Sequence, residues 1–355
     1  MLWSPAPAQA LREIVFSAPF LITFLAARQV ASKNPRVIVK SLYIFCMMGA
    51  LHSLLVLMML FAPFLKTAFF ASPVAFLFIN QNSLDAISSG AQVTTTFGSD
   101  KSPGFFVNPN VAGVWSAVAF AATILVRRYR KSVLLNAAAL LDLGAIGASG
   151  SKASLGLLVL VPLIAWLVLK ILPPVGQRRR VVSTVMYALV LGAAAYGARL
   201  ALDHASFMEN SEHTLLTRSI MWQHAVNQFF ITPWLGQGFG GWTLSFAPVG
   251  YAYQYLGIQP TFPPHNSLII LWSQSGLAAL ALGMMIIFYL LRISIAPRQD
   301  PDALMLCYCA LGAYLFVLIQ AMGENYGIVG DIHIKIPLAA ILGWASIYEK
   351  RTARE

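Results

Sequence analysis

The sequence predicts an all-α, polytopic integral membrane protein, and three observations carry that prediction. Of the 355 residues, 58% are hydrophobic and only 10% are charged, with a mean hydropathy of +0.70, whereas soluble domains carry about 25% charged residues. The apolar residues gather into nine stretches near the roughly 20 residues that cross a bilayer as a helix. The basic residues cluster in alternate gaps between those stretches. The composition excludes an ordinary water-soluble domain.

The spans are expected at about 11–27, 41–64, 105–126, 132–148, 153–172, 181–202, 266–291, 303–322 and 332–348. A shorter apolar piece at 67–79 is interrupted by Pro73 and is too brief to cross, so it is expected at the outer interface or as a re-entrant segment. No internal repeat of the solenoid or inverted-transporter kind is visible.

The net charge of +11 raises the question of nucleic acid, and the positions of the charges answer it. Arg28, Lys33, Arg36 and Lys40 form one cluster, Arg127, Arg128, Arg130 and Lys131 a second, and Lys170 with Arg178, Arg179 and Arg180 a third. Arg292 and Arg298, then Lys350, Arg351 and Arg354, complete the series. The positive-inside rule puts these loops in the cytoplasm. The charge therefore reports topology, and no nucleic-acid partner is expected.

The loops at 65–104, 149–152, 203–265 and 323–331 then face outward, within what reads as a single membrane domain over 1–355. A loop as long as 203–265 usually carries function or its own structure. The topology also places residues 1–10 outside although they lack a signal-peptide pattern. A nine-helix chain with its N-terminus out is awkward to insert, so further helices are expected upstream of Met1 in the full protein.

Within the long loop, residues 211–230 have a helical pattern that suits an interfacial helix, with Leu215, Ile220, Trp222, Val226 and Phe229 apolar. Pro233 ends it. Gly236, Gly238, Gly240 and Gly241 then impose turns beside Trp234, Phe239 and Trp242, aromatics of the kind found at membrane interfaces. The glycine spacing superficially resembles a phosphate loop, but no strand precedes it and no Lys-Ser/Thr follows.

The strongest constellation is Pro263-Pro264-His265-Asn266-Ser267, where the long loop meets the seventh span. Asn266 or Ser267 can cap that helix. An imidazole beside the positive end of a helix dipole is disfavoured from protonating, so His265 is expected to be able to accept a proton. The plainer reading makes it part of the cap.

Three outward cations are read as having no obvious carboxylate neighbour: Lys152, Arg199 and Arg218. Charges beside hydrocarbon usually face a cavity or a partner, here an anionic ligand, or else snorkel to lipid headgroups. Asn108-Pro109-Asn110 opens the third span, with Asn108 as N-cap and Pro109 at the first helical position. Asp300-Pro301-Asp302 reads as a solvated turn on the cytoplasmic side. Glu324 and Asp331 flank a short outer loop, where they either orient a cation or His265 or simply face solvent. His52 reads as a satisfied interhelical group. Cys46, Cys307 and Cys309 lie in apolar stretches, and no Cys/His spacing suits zinc. No metal and no cofactor are expected.

Four segments taken in order resemble the O-antigen ligase and polymerase superfamily of bacterial membrane glycosyltransferases. They are residues 104–110 (GFFVNPN), residues 149–153 (SGSKA), Arg218-Ser219-Ile220-Met221-Trp222 through residues 233–238 (PWLGQG), and His265-Asn266 followed after nine residues by Gly276. The resemblance covers roughly 100–290, and Lys152 stands where the family commonly has arginine. Lysine keeps the charge and loses bidentate geometry toward phosphate.

The resemblance implies a GT-C-like helical bundle in the bacterial cytoplasmic membrane, its site facing the periplasm. It implies inverting transfer of a glycan from an undecaprenyl-diphosphate carrier to an acceptor hydroxyl on a glycolipid such as lipid A-core, without metal or nucleotide. His265 and Arg218 would be catalytic. Arg218, Arg199 and Lys152 would hold the diphosphate, supported by Asn266, Asn108 and Asn110. A polysaccharide polymerase of the same superfamily is the alternative, and a protein oligosaccharyltransferase a further member. Outside the class stand a non-enzymatic transporter of lipid-linked glycan and an inactive fragment.

Overall fold

The computed structural model describes residues 4–79, 81–88, 96–98, 100–171, 205–260, 262–295, 300–324 and 327–352. Among them the helices are α1 (Pro7–Lys33), α2 (Pro35–Phe61), α3 (Phe64–Phe70), α4 (Gln81–Ser88), α5 (Pro109–Tyr129), α6 (Val133–Ala148) and α7 (Lys152–Ile171). The remainder are α8 (Ala205–Ile231), α9 (Gly241–Ala252), α10 (Ser267–Ile295), α11 (Pro301–Ala321) and α12 (Ile332–Thr352). Short 3-10 turns cover Pro73–Leu77 and Gln254–Leu256. The protein is an all-α polytopic membrane protein. Among the described residues, α1, α2, α5, α10 and α11 are long and apolar enough to cross a membrane, and α6, α7 and α12 are apolar but shorter. The span expected at 181–202, with Arg199, lies outside the described residues.

Helix starts follow local chemistry. Asn34 accepts from the Arg36 amide with Pro35 at the first helical position, and Asn108 accepts from the Asn110 amide at 2.8 Å with Pro109 next to it. The Asp300 side chain accepts from the Asp302 and Ala303 amides at the start of α11, and Asp331 caps α12 through the His333 and Ile334 amides. Asp300-Pro301-Asp302 is therefore more than a solvated turn, because Asp302 also pairs with Arg128 at the surface.

The chain forms two compact units. One comprises Thr23–Ala194, Ile293–Phe316 and Ile336–Glu355. Its centre is the mutual packing of α2, α5 and α6. Close approach of α2 to α5 depends on Gly49, where a Cβ would collide with that of Ala119. Asp142 of α6 is fully buried there and accepts hydrogen bonds from Ser53 Oγ at 2.7 Å and Thr123 Oγ1 at 3.3 Å, which ties three helices to one carboxylate. His52 is buried against Phe105, Phe106 and Trp115. Its Nδ1 accepts from the Phe105 amide at 3.4 Å, in the loop before α5, and Nε2 has no partner among the described residues. His52 is thus an interhelical group, packed on Trp115 of α5, and the expectation that it is satisfied is corrected at Nε2.

The other unit comprises Met1–Ile22, Ala195–Arg292 and Val317–Lys335. It contains most of the long loop, which carries a 27-residue helix, α8, as well as the shorter α9. Its core is Met221, Ala225, Trp242, Phe246 and Ile258, with Ile269 of α10 packed against them. Trp242 is therefore a core residue, not an interfacial one, and its Nε1 donates to the Phe262 carbonyl at 2.7 Å.

The seventh span, expected as one helix over 266–291, is broken. Gly276 has φ 75° and ψ −174° inside α10, a conformation that a side chain would strain. The break strands the carbonyls of Ser273 and Gln274, which a continuous helix would pair with the amides four residues on. They accept instead from the Gln237 amide at 2.8 Å and the Gly238 amide at 2.9 Å, while the Leu277 amide donates to the Pro233 carbonyl at 2.9 Å. Cβ atoms at Gly276 and Gly236 would collide with the facing backbone of residues 234–235 and 274–276 respectively. The glycine-rich turn and the final glycine of the His-Asn pattern are thus two halves of one joint.

Candidate functional site

Three backbone devices bring His265, Arg218 and Glu324 together in one unit. Arg218 and Trp222 are four residues apart on α8 and share a face. Trp222 Nε1 donates to the Pro264 carbonyl at 2.7 Å, which holds α8 to the turn that precedes His265. Asn266 then caps α10, its Oδ1 accepting from the Leu268 and Ile269 amides at 3.0 and 3.1 Å. Its Nδ2 donates to the Met322 carbonyl at 3.0 Å, and Ser267 Oγ donates to the Glu324 carbonyl at 3.4 Å. Those two bonds fasten the segment after α11 beside the His265 turn.

His265 itself has φ 49°, the one positive value among the described non-glycine residues. Histidine tolerates the left-handed region better than most residues, at a cost on the order of 1–3 kcal/mol, and such conformations gather at functional sites. The turn presents the imidazole edge-on to Phe262, ring centres 6.2 Å apart.

The result is a carboxylate shared by two groups. Glu324 Oε1 lies 3.5 Å from Arg218 Nη2, and Oε2 lies 3.7 Å from His265 Nδ1. These separations are ion-pair contacts, longer than a good hydrogen bond. Glu324 is the buried partner, whereas the side chains of Arg218 and His265 keep 24% and 28% exposure and remain reachable by a ligand. Arg218, expected to lack a neighbouring acid, has one that is 106 positions away in sequence. Nothing in the local sequence around Glu324 separates it from Asp331, yet Asp331 serves α12 as a cap and Glu324 serves the site.

The remaining expected residues fall in the other unit or outside the description. Lys152 is exposed at the first position of α7, and Asn108 and Asn110 open α5. The turn before Lys152 receives a second lysine that the sequence did not single out: Lys101 Nζ donates to the Gly150 carbonyl at 3.0 Å. Arg199 is not among the described residues. A further network, in the same unit as His265, runs from His224 Nε2 to Ser245 Oγ at 3.1 Å and from Ser245 Oγ to Gln237 Oε1 at 2.8 Å, with burial holding the His224 imidazole below its ordinary range. Among the described residues no cluster of His, Cys, Asp and Glu is grouped to hold a metal ion.

No curated protein matches the chain. The family model described as O-Antigen ligase matches residues 137–284, a stretch that includes Lys152, Arg218, His265 and Gly276 and stops short of Glu324. Members of that family are glycosyltransferase-like ligases and polymerases. Over residues 137–284, this membrane protein is similar to the O-antigen ligase and polymerase superfamily.

Proposed function

We propose that this protein is an O-antigen ligase-like glycosyltransferase that moves a glycan from an undecaprenyl-diphosphate carrier to an acceptor hydroxyl at the outer face of the bacterial cytoplasmic membrane. The observation that carries the reading is the Glu324 carboxylate held between Arg218 and His265. With Nδ1 facing that carboxylate, the imidazole is oriented and its Nε2 takes the acceptor proton. The acceptor oxygen bonds to the anomeric carbon as the carbon–oxygen bond to the diphosphate breaks. The diphosphate leaves with the electron pair, and attack opposite it inverts the anomeric centre.

Charge developing on the leaving diphosphate is met by Arg218, whose guanidinium is fixed before reaction by Glu324, the kind of preorganised cation that stabilises a transition state most. Lys152 and Arg199 are the further diphosphate contacts in this reading. Asn266 holds the His265 turn.

The test is complementation of cells lacking the protein with the native chain, His265→Ala or His265→Asn. Asparagine also tolerates positive φ, so the second variant keeps the turn and removes the base. Carrier-linked glycan should accumulate without the protein and fall only with the native chain. Complete unattached glycan chains identify a ligase, and short glycans attached to their acceptor identify a polymerase. Full activity of either variant at native protein level would refute the role of His265.

A further inference from the structure

The joint at Gly276 fixes the depth of a segment that the sequence places in an outer loop. Two anchors lock the end of α8 alongside the start of α10: the Trp222 indole on the Pro264 carbonyl above, and the Pro233 carbonyl on the Leu277 amide below. Between them the Phe229 and Trp272 rings meet at 4.1 Å between centres. Residues 222–231 therefore descend beside residues 267–275 to the level of Gly276.

That level lies near the outer edge of the hydrocarbon. Below the break, residues 277–291 form about 22 Å of helix at 1.5 Å per residue before the cytoplasmic Arg292, most of the roughly 30 Å of a bilayer core. About one and a half turns above the break complete the crossing. At the foot of α8 and in the turn after it, Phe230, Ile231, Trp234 and Leu235 are 75%, 69%, 71% and 56% exposed. Higher on α8 the exposed residues are mixed, Gln223 and Asn227 together with Leu215, Leu216 and Val226. At the depth of the break the exposed side chains are aromatic and aliphatic.

We propose that Phe230, Ile231, Trp234 and Leu235 form a ridge seated in the interfacial layer of the lipid bilayer, anchoring the foot of α8. Large apolar side chains exposed together at this depth are stabilised by lipid, and tryptophan is the residue most suited to the headgroup boundary. The ridge holds the α8 helix, and with it Arg218, at a fixed height above the hydrocarbon. This inference rests on membrane insertion alone, and its test involves no glycan.

The full chain, with the buried Cys46, Cys307 and Cys309 replaced by alanine, is spin-labelled singly at Phe230→Cys, Ile231→Cys, Leu235→Cys, Gln223→Cys and Met285→Cys and reconstituted in phosphatidylcholine vesicles. Power saturation compares collisions with oxygen, which enriches in lipid, and with a water-soluble Ni(II) complex. Labels at 231 and 235 are expected to favour oxygen several-fold, as at the exposed lipid-side position 285. The label at 223, about 12 Å up the helix, is expected to favour nickel. Nickel preference at 231 and 235 would overturn the proposal by placing the ridge in water, and low access to both agents would overturn it by showing a protein cover. Trp234→Phe in the unaltered chain gives a check that needs no cysteine removal: it should lower the quenching of tryptophan fluorescence by lipids brominated near the headgroup, and unchanged quenching counts against the ridge.

Discussion

The indole of Trp222 donates to the carbonyl of Pro264 at 2.7 Å, one residue before the left-handed His265. One hydrogen bond from α8 thereby sets the distance between the helix carrying Arg218 and the turn carrying the imidazole. Trp222→Phe keeps most of the ring packing and removes the donor, leaving the carbonyl to find another partner. A net loss of about 0.5–1.5 kcal/mol corresponds to a roughly 2- to 13-fold fall in glycan transfer. A steady-state assay on reconstituted protein measures it, and an unchanged rate would show that the turn is held by other contacts.

In the proposed mechanism Glu324 is a positioning residue, acting through the two groups it faces. Glu324→Gln preserves shape and removes the charge that orders Arg218 and His265. Charge-assisted contacts are worth about 1.5–3 kcal/mol, so kcat is expected to fall about 10- to 150-fold with a smaller change in KM. Glu324→Asp should recover part of kcat. A fall confined to protein yield would indicate a structural role only.

Gly276→Ala is expected to destabilise the protein severely, because the position has positive φ and faces the backbone of residues 234–235 without room for a methyl group. Gly312→Ala is the matched control: it lies in α11 with nothing within 4 Å of the added carbon, and alanine in a helix is favoured by about 1 kcal/mol. Thermal unfolding in detergent should show a lowered transition for the first and an unchanged or raised one for the second.

Asp142 ties Ser53 and Thr123 together inside the helical core. Asp142→Asn retains an oxygen acceptor and is expected to leave stability nearly unchanged. Asp142→Leu strands both hydroxyls, at about 1–3 kcal/mol for a buried group left unpaired, and should lower the unfolding temperature clearly. Equal stability of the two variants would mean that the hydroxyls find other acceptors.

Much of this protein is legible without coordinates, because the bilayer is a demanding solvent. A backbone in hydrocarbon must satisfy its own hydrogen bonds, so apolar length alone announces α1, α2, α5, α10 and α11. Caps are equally local, and Asn108 and Asn266 do what their positions before an apolar run require. The stop before Pro233 also follows from a short stretch of chain.

Other features depend on residues distant in sequence, and there local pattern had no purchase. Apolar content could not reveal that α10 breaks at Gly276, because the stranded carbonyls are satisfied by amides of residues 237 and 238. Hydropathy likewise treats Trp234 and Trp242 alike, although one is exposed and the other packs in the core. The sequence by itself determined the membrane-spanning helices, their caps and the residue types available for chemistry, since those follow from solvent and from neighbours within a few positions. Only the tertiary structure decided that Glu324, and not Asp331, faces Arg218 and His265, because a shared carboxylate is a matter of where three separate segments meet.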